Sequence, residues 1–436
     1  IKFEIKKNTI LKNSQQWWNY SKNYQIQKNV IHNFDDNLHI NECEKILANV
    51  VKKQMISDAP IGSFLSGGID SSLITLLMQN NSNKKIKTFT IGYDNHRYNE
   101  SVDARKIADY LGTDHHEMIV THSHTMDTIL KIPSIYDEPF ADHSQIPSII
   151  LSEYTSQYVK VALSGDGGDE VFGGYNRYQW APKISKLNNI SPYFLRSILK
   201  RILLKISPKK WDSIFSYLSN IIPDSLNVRQ PGEKIHKIAN ILECKNDDEI
   251  YSTLTTFWNS SVLLHSKNND NKVNVFSSSL EDLTFIEKMM THDISTYLPD
   301  DIFVKMDRAS MSSSLETRSP FVDREVLSYS QLLPNHLKMN NGVSKWILKK
   351  ILEKHIPITL FNRPKTGFGI PIHEWLRGPL RNWTEELLSK KRIDNDGYFD
   401  SGIIRKKWDQ HLSGKFNNQY LIWSILMFNS WHDEKF

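Results

Sequence analysis

Ahead of about residue 180 the hydrophobic positions switch period again and again. NECEKILANVVKKQMI, from Asn41, spaces its apolar residues as a helix does, and PIGSFL (60–65) is a short apolar run. SSLITLLMQN (71–80) is helical, IKTFTIG (86–92) reads as a strand, SVDARKIADYLG (101–112) as a helix, and HHEMIVT (115–121) and VKVALSG (159–165) as strands. Strands alternating with helices predict an α/β fold with an open, doubly wound, mainly parallel sheet. Beyond residue 180 the strand signals fade. SPYFLRSILKRILLKI (191–206), EKIHKIANILE (233–243), KWILKKILEKHI (345–356) and LIWSILMF (421–428) predict a large helical C-terminal half. In the helix expected over 191–211, Phe194, Ile198, Ile202 and Ile206 form a stripe. The commoner use of such a stripe is to face a core, and that is the expectation here, although its basic residues would also suit an anionic membrane surface.

The opening IKFEIKKNTI alternates apolar and charged residues at strand period before QQWWNY. A lone strand cannot bury its face, so residues 1–22 are expected to be the remnant of an upstream domain plus a linker. Residues 23–436 then form one domain, with an α/β core over about 36–180 and a mostly helical part over about 181–436. LLHSKNNDNKVN (263–274) reads as a mobile loop.

Composition removes several classes. Lys and Arg number 54 against 49 acidic residues, an excess of +5 over 436 residues, too dilute for a nucleic-acid partner. No apolar run reaches the roughly 18 residues of a membrane span, so no membrane partner is expected. Cys43 and Cys244 stand far apart with no CxxC and no His/Cys cluster, which argues against a disulfide framework or structural zinc and fits a reducing cytoplasm.

The chemistry concentrates in SFLSGGIDSSLI (63–74). Leu65 is expected to end a strand, Ser66-Gly67-Gly68 to turn, and Ser71 to start a helix at the carboxyl edge of the sheet. Glycines let backbone N–H groups approach an anion, and a helix N-terminus favours it. Asp70 has no place beside a polyphosphate unless a divalent cation lies between, so it implies Mg2+. SGG alone is also an ordinary turn; the strand before it and the helix after it favour the phosphate site. A second glycine-rich turn, SGDGGDEVFGGYNRY (164–178), carries Asp166, Asp169 and Glu170 without the spacing of a calcium loop.

SGGIDSS resembles the pyrophosphate loop of the ATP pyrophosphatases, whose fold is adenine nucleotide alpha-hydrolase-like. SGDGGDEVFGGYNRY, LPDDIFVKMDRASMSSSLETRSPFVD (298–323) and RPKTGFGIPIHEW (363–375) resemble, in order, the signatures of the asparagine synthetase family, glutamine-hydrolysing type. The resemblance implies a carboxylate that attacks the α-phosphorus of ATP, an acyl-adenylate with loss of pyrophosphate, and displacement of AMP by ammonia. It also implies that the helical part returns to the active site. Carried onto this sequence, Ser66, Gly67, Gly68 and Ser71 would hold pyrophosphate, and Asp70 and Asp169 magnesium. Leu65 and Ile91 would flank adenine, the Ser164-Gly165 backbone would read it, and Lys345 would add a phosphate contact. Lys365 would stabilise the adenylation transition state, although a loop lysine outside this pattern is most often simply exposed. Asp166 would act as acid/base where family members carry Glu, with Glu170, Asp307, Arg308 and Arg318 as supporting charges; an ion pair of Arg318 with Glu316 could equally be structural.

Aspartate is the favoured acceptor. IYDEPFADHSQIPSIIL nevertheless offers His143, Ser144 and Gln145 where aspartate-using members have an arginine. Another carboxylate, such as a uronic acid of a surface polysaccharide, is the alternative; a tRNA-modifying pyrophosphatase would want the catalytic cysteines that are lacking here. The family's glutaminase domain uses an N-terminal cysteine, which neither Cys43 nor Cys244 supplies, so ammonia is expected from an upstream domain outside this chain. A homodimer is left open.

Overall fold

A computed structural model describes residues 2–6, 9–14, 17–21, 35–93, 99–218, 231–258, 275–276, 280–362, 370–414 and 416–436. The candidate loop 263–274 and Lys365 lie outside the described residues.

Alternation of side chains along short strands builds the centre of the fold. Strands β3 (Ile61–Phe64), β4 (Lys87–Tyr93), β5 (Asp114–Val120), β6 (Val161–Leu163) and β7 (Glu316–Arg318) form a parallel sheet in the order β5-β4-β3-β6-β7. Consecutive residues point to opposite faces. Phe64 and Ala162 therefore join one buried cluster while their neighbours Leu65 and Leu163 join the other. One face carries the helices Asp36–Gln54, Ile69–Asn80, Ser101–Leu111 and Trp346–Glu353; the other carries Gln145–Ser156, Val304–Met311 and Gln419–Lys435. Each fully buried Leu, Ile or Phe in these layers contributes about 1.5–3 kcal/mol of transfer free energy.

The order of the strands fixes where a ligand can sit. The chain runs outward from β3 through β4 to β5, then returns to the opposite side of β3 as β6. The loops after β3 and β6 diverge at that reversal, and the crevice at the carboxyl ends of such strands is the ligand position in doubly wound sheets.

Four local readings change. IKFEIKKNTI is a hairpin, β1 (Lys2–Lys6) antiparallel to β2 (Thr9–Asn13), and not one strand. The strand before the first glycine turn ends at Phe64 and the helix begins at Ile69, two residues ahead of Ser71, because the Gly68 carbonyl already accepts the Ser72 N–H at 3.0 Å. Strand β7 was missed: it is three residues long, and Glu316-Thr317-Arg318 has no apolar alternation. The helix Tyr193–Lys205 buries none of its residues, so its stripe does not face a core. Among the described residues no helix is long and apolar enough to cross a membrane, and Cys43 and Cys244 are both free and buried.

Candidate active site

The two glycine turns meet at the reversal between β3 and β6. In the first, Gly67 has φ +71°, a left-handed conformation that favours glycine. The Ser66 and Ser71 hydroxyls are 3.0 Å apart, the Ser66 N–H donates to Ser71 Oγ at 3.1 Å, and the Gly68 N–H donates to Ser66 Oγ at 3.3 Å. These bonds tie the loop to the N-terminus of the helix Ile69–Asn80, which has no side-chain cap. Leu65, 1% exposed, donates its N–H to the Phe89 carbonyl at 2.9 Å, and Ile91 is buried on the neighbouring strand.

The second turn abuts the first so closely that side chains are excluded. A Cβ on Gly168 would lie 2.8 Å from the Asp70 carboxylate carbon. The short helix Gly168–Phe172 then presents Asp169 and Glu170. Glu170 is 1% exposed, and burial, followed by the charge of Asp169, pushes its carboxyl up to about 7. The Tyr175 hydroxyl donates to it and partly offsets that rise.

A lysine from the helical half joins the two turns. Lys345 caps the helix Trp346–Glu353 at φ +52°, a conformation rare for a residue with a side chain, and is 5% exposed. Its Nζ lies 2.7 Å from Asp169 Oδ1 and also bonds Asp70 Oδ2. Burial alone would discharge this ammonium; Asp169 and Asp70 outweigh it and hold the pKa above the ordinary lysine value. Two hard carboxylates converging on one cation are the donor set that Mg2+ uses when it keeps substrate phosphates as its remaining ligands. Among the described residues no group of three or more His, Cys, Asp or Glu side chains could hold a metal by itself. Asp70 and Asp169 are the two protein donors such an ion would use here.

Asp166 lies in the second turn, where its Oδ2 accepts from the Ser164 hydroxyl at 2.9 Å; that hydroxyl is 3.0 Å from Ser319 Oγ. The Ser164 N–H donates to the Arg318 carbonyl at 2.8 Å. The Arg318 guanidinium turns elsewhere, to Glu316 and to the Gln54 and Ile56 carbonyls, and so ties the end of the helix Asp36–Gln54 to β7. Arg308 bonds Asp137 at 2.9 Å and pairs with Asp307, all on the surface.

Sequence reasoning named Ser144 but missed the buried Lys305, Asp142 and Asp301 grouped with it. Lys305, 8% exposed, donates to Asp142 Oδ2 at 2.9 Å and to Ser144 Oγ at 3.0 Å. Burial works against its charge; Asp142 first and Asp166 next hold it protonated well above the usual lysine range. Asp301 stands on a π-helical turn, Leu298–Phe303, and burial together with the Asp142 charge raises its carboxyl to about 7. π-turns inside helical runs gather at functional sites, and LPDDIF ahead of Lys305 was the one signal in the sequence. Lys305 brings a cation to the segment after Tyr136-Asp137, which has no arginine of its own.

The sequence profile of asparagine synthase matches residues 42–433. Asparagine synthetase [glutamine-hydrolyzing] 1 of Bacillus subtilis is 30% identical over 400 residues, 90% of this chain and 59% of its own length. Asparagine synthetase [glutamine-hydrolyzing] 3 of the same organism is 25% identical over 95% of this chain and 61% of its own length. Amidase chry2 of Gibberella zeae is 23% identical over 86% of this chain and 58% of its length. The chain therefore spans about three fifths of the length of the curated relatives it matches. With the profile covering the parallel sheet, both glycine turns and the helical half that returns Lys345 to them, this chain belongs to the asparagine synthase family.

Proposed function

We propose that the chain amidates a carboxylate at the expense of ATP, with aspartate as the favoured acceptor. The observation that carries this reading is the meeting of Asp70 and Asp169, from two separate turns, on the one buried ammonium of Lys345. The N–H groups of the Ser66–Ser71 turn and the following helix N-terminus hold the β- and γ-phosphates, and the Ser66–Ser71 hydroxyl pair keeps that turn in shape before ATP arrives. Leu65 and Ile91 flank the adenine beside the Ser164-Gly165 backbone. Asp70 and Asp169 hold magnesium, which supplies charge neutralisation at the departing pyrophosphate when bound.

An oxygen of the acceptor carboxylate forms a bond to the α-phosphorus and the bond to the β-phosphate oxygen breaks, so pyrophosphate leaves. Ammonia then bonds the acyl carbon and AMP departs with the acceptor's oxygen. Asp166, fixed by the Ser164 hydroxyl, takes the proton that the attacking nitrogen sheds. Lys365 is assigned to the phosphates in the first step. Lys305, with Asp142 and Ser144 bonded to it, forms the acceptor's wall, since its ammonium lies within electrostatic reach of Asp166. Nitrogen comes as ammonia, supplied in the whole protein by glutamine hydrolysis, as the names of the glutamine-hydrolyzing relatives suggest. The two free, buried cysteines suit a reducing cytoplasm.

The test is pyrophosphate release with ATP, magnesium and a panel of carboxylates, with ammonium and glutamine run side by side. Release that depends on aspartate and ammonium, and is lost in Asp70→Asn and Asp169→Asn, is expected. Glutamine-dependent amidation by this chain alone would overturn the assigned nitrogen source, and release with a uronic acid in place of aspartate would reassign the acceptor.

A further inference from the structure

The helix Tyr193–Lys205 presents an apolar face to solvent. Phe194, Leu195, Ile198, Leu199 and Ile202 are 62%, 50%, 51%, 43% and 56% exposed, and Leu187 and Ile190 at the end of the preceding helix are 50% and 85% exposed. At 3.6 residues per turn the five helix positions share an arc of about 140° and run about 12 Å along the axis. The inward side of this helix mixes Arg196 and Lys200 with the half-buried Leu203 and Leu204. Arg196 donates to the Leu242 and Cys244 carbonyls at 2.8 and 3.0 Å, and Lys200 pairs with Glu243. Two cations bond the helix to the protein on its inward side, while five of its aliphatic and aromatic side chains face out. A contiguous exposed apolar patch on this scale marks an interaction surface.

Charge selects the occupant. From Val171 to Trp211 the chain has nine Lys or Arg and no Asp or Glu. Lys183, Lys186, Arg201, Lys205, Lys209 and Lys210 are exposed around the patch. Two copies meeting through this face would set like charges against each other across a two-fold axis, which disfavours self-association. An anionic bilayer surface satisfies both features at once, accepting aliphatic side chains below its headgroups and lysines among them. The absence of a spanning helix among the described residues is consistent with a helix lying in the plane of the interface.

We propose that the helix Tyr193–Lys205 docks the protein on an anionic lipid surface, with Phe194, Leu195, Ile198, Leu199 and Ile202 among the acyl chains and the surrounding lysines at the headgroups. This surface is separate from the nucleotide site and does not rest on the proposed reaction. The test is co-flotation of the whole chain with vesicles of phosphatidylcholine alone and of roughly two parts phosphatidylcholine to one part phosphatidylglycerol. Flotation with the anionic vesicles only, weakening as salt rises from low to physiological levels, is expected. Replacing Phe194, Ile198 and Ile202 together by Ser should lower the vesicle partition coefficient on the order of tenfold or more, the three side chains being the largest apolar area in the arc. Circular dichroism melting of the variant at the wild-type temperature checks that the helix still folds, and Lys205→Glu with Lys209→Glu is a second variant that changes charge without touching the apolar face. Anionic vesicles that leave the wild type in solution would overturn the proposal. So would a concentration-dependent dimer in sedimentation velocity that the Ser variant dissolves, which would assign the face to a second copy.

Discussion

Replacing Lys345 by Met isolates the contact that joins the two glycine turns. The side chain is nearly isosteric and the backbone keeps its place, but the ammonium shared by Asp70 and Asp169 is gone. The two carboxylate side chains are only 17% and 16% exposed, so neither recovers full hydration. Removing one partner from a buried ionic group typically costs about 3–5 kcal/mol, because the remaining charge is left uncompensated. That loss should be largest at alkaline pH and shrink in acid, where the facing carboxylates can share a proton. Urea unfolding with and without magnesium measures both consequences. Wild type gains little from the ion, which must displace the ammonium; the variant should gain more, by about 2.7 kcal/mol when magnesium stands at a hundred times its dissociation constant. A variant within about 1 kcal/mol of wild type, with the same response to magnesium, would refute both the charge link and the metal assignment.

Gly174→Ala would place a Cβ inside van der Waals contact with Asp169 Oδ1 and Lys345 Cε, so it should destabilise the protein by about 1–3 kcal/mol, read in urea as a lower midpoint with an unchanged slope. Lys305→Met should raise the KM for the acceptor about 10–100-fold and leave that for ATP nearly unchanged, the range expected for losing a hydrogen bond to a charged group; steady-state kinetics in each substrate separates the two. Lys338, 2% exposed, is lowered by burial to about 8, with Glu287 opposing. A lysine whose folded pKa is depressed costs stability in full below that pKa, and the cost fades as pH rises through the unfolded value. Lys338→Met should therefore stabilise the protein by about 3 kcal/mol at pH 7, with the gain vanishing toward pH 11, as urea titrations at several pH values would show.

The sequence was most informative where period and turn chemistry agreed. Strands β3, β4, β5 and β6 carry β-branched or aromatic residues between helical runs, and each was foreseen. The glycine turns were legible because Gly67 at positive φ and Gly168 against Asp70 leave few alternatives to glycine. Strand β7 was not, since a three-residue edge strand held by the Lys160 and Ser164 backbones needs no apolar face. The Lys345 link was seen only as a phosphate contact: nothing in GVSKWILKK says that its ammonium spans Asp70 and Asp169, hundreds of positions upstream in one case. Lys305 and Asp142 are likewise far apart in sequence, and their pairing comes from packing of the helix Val304–Met311 against Gln145–Ser156. The stripe of Tyr193–Lys205 shows the converse failure. Helical periodicity gave a helix here but ran it on to residue 211, whereas it ends at Lys205 and a second helix, Pro208–Leu218, follows; nor can periodicity tell which side meets the protein, and here Arg196 and Lys200 do.

The most direct measurement of the central claim follows the acceptor's oxygen. Aspartate labelled with oxygen-18 in its side-chain carboxylate, incubated with ATP, magnesium, ammonium and this chain, is analysed by phosphorus NMR. The account predicts AMP and pyrophosphate as products, with one labelled oxygen on the AMP phosphorus, seen as an isotope-shifted resonance, because the carboxylate bonds the α-phosphorus before ammonia displaces it. ADP with inorganic phosphate carrying the label would contradict it, since the carboxylate would then have attacked the γ-phosphorus and the two joined turns would serve a different reaction.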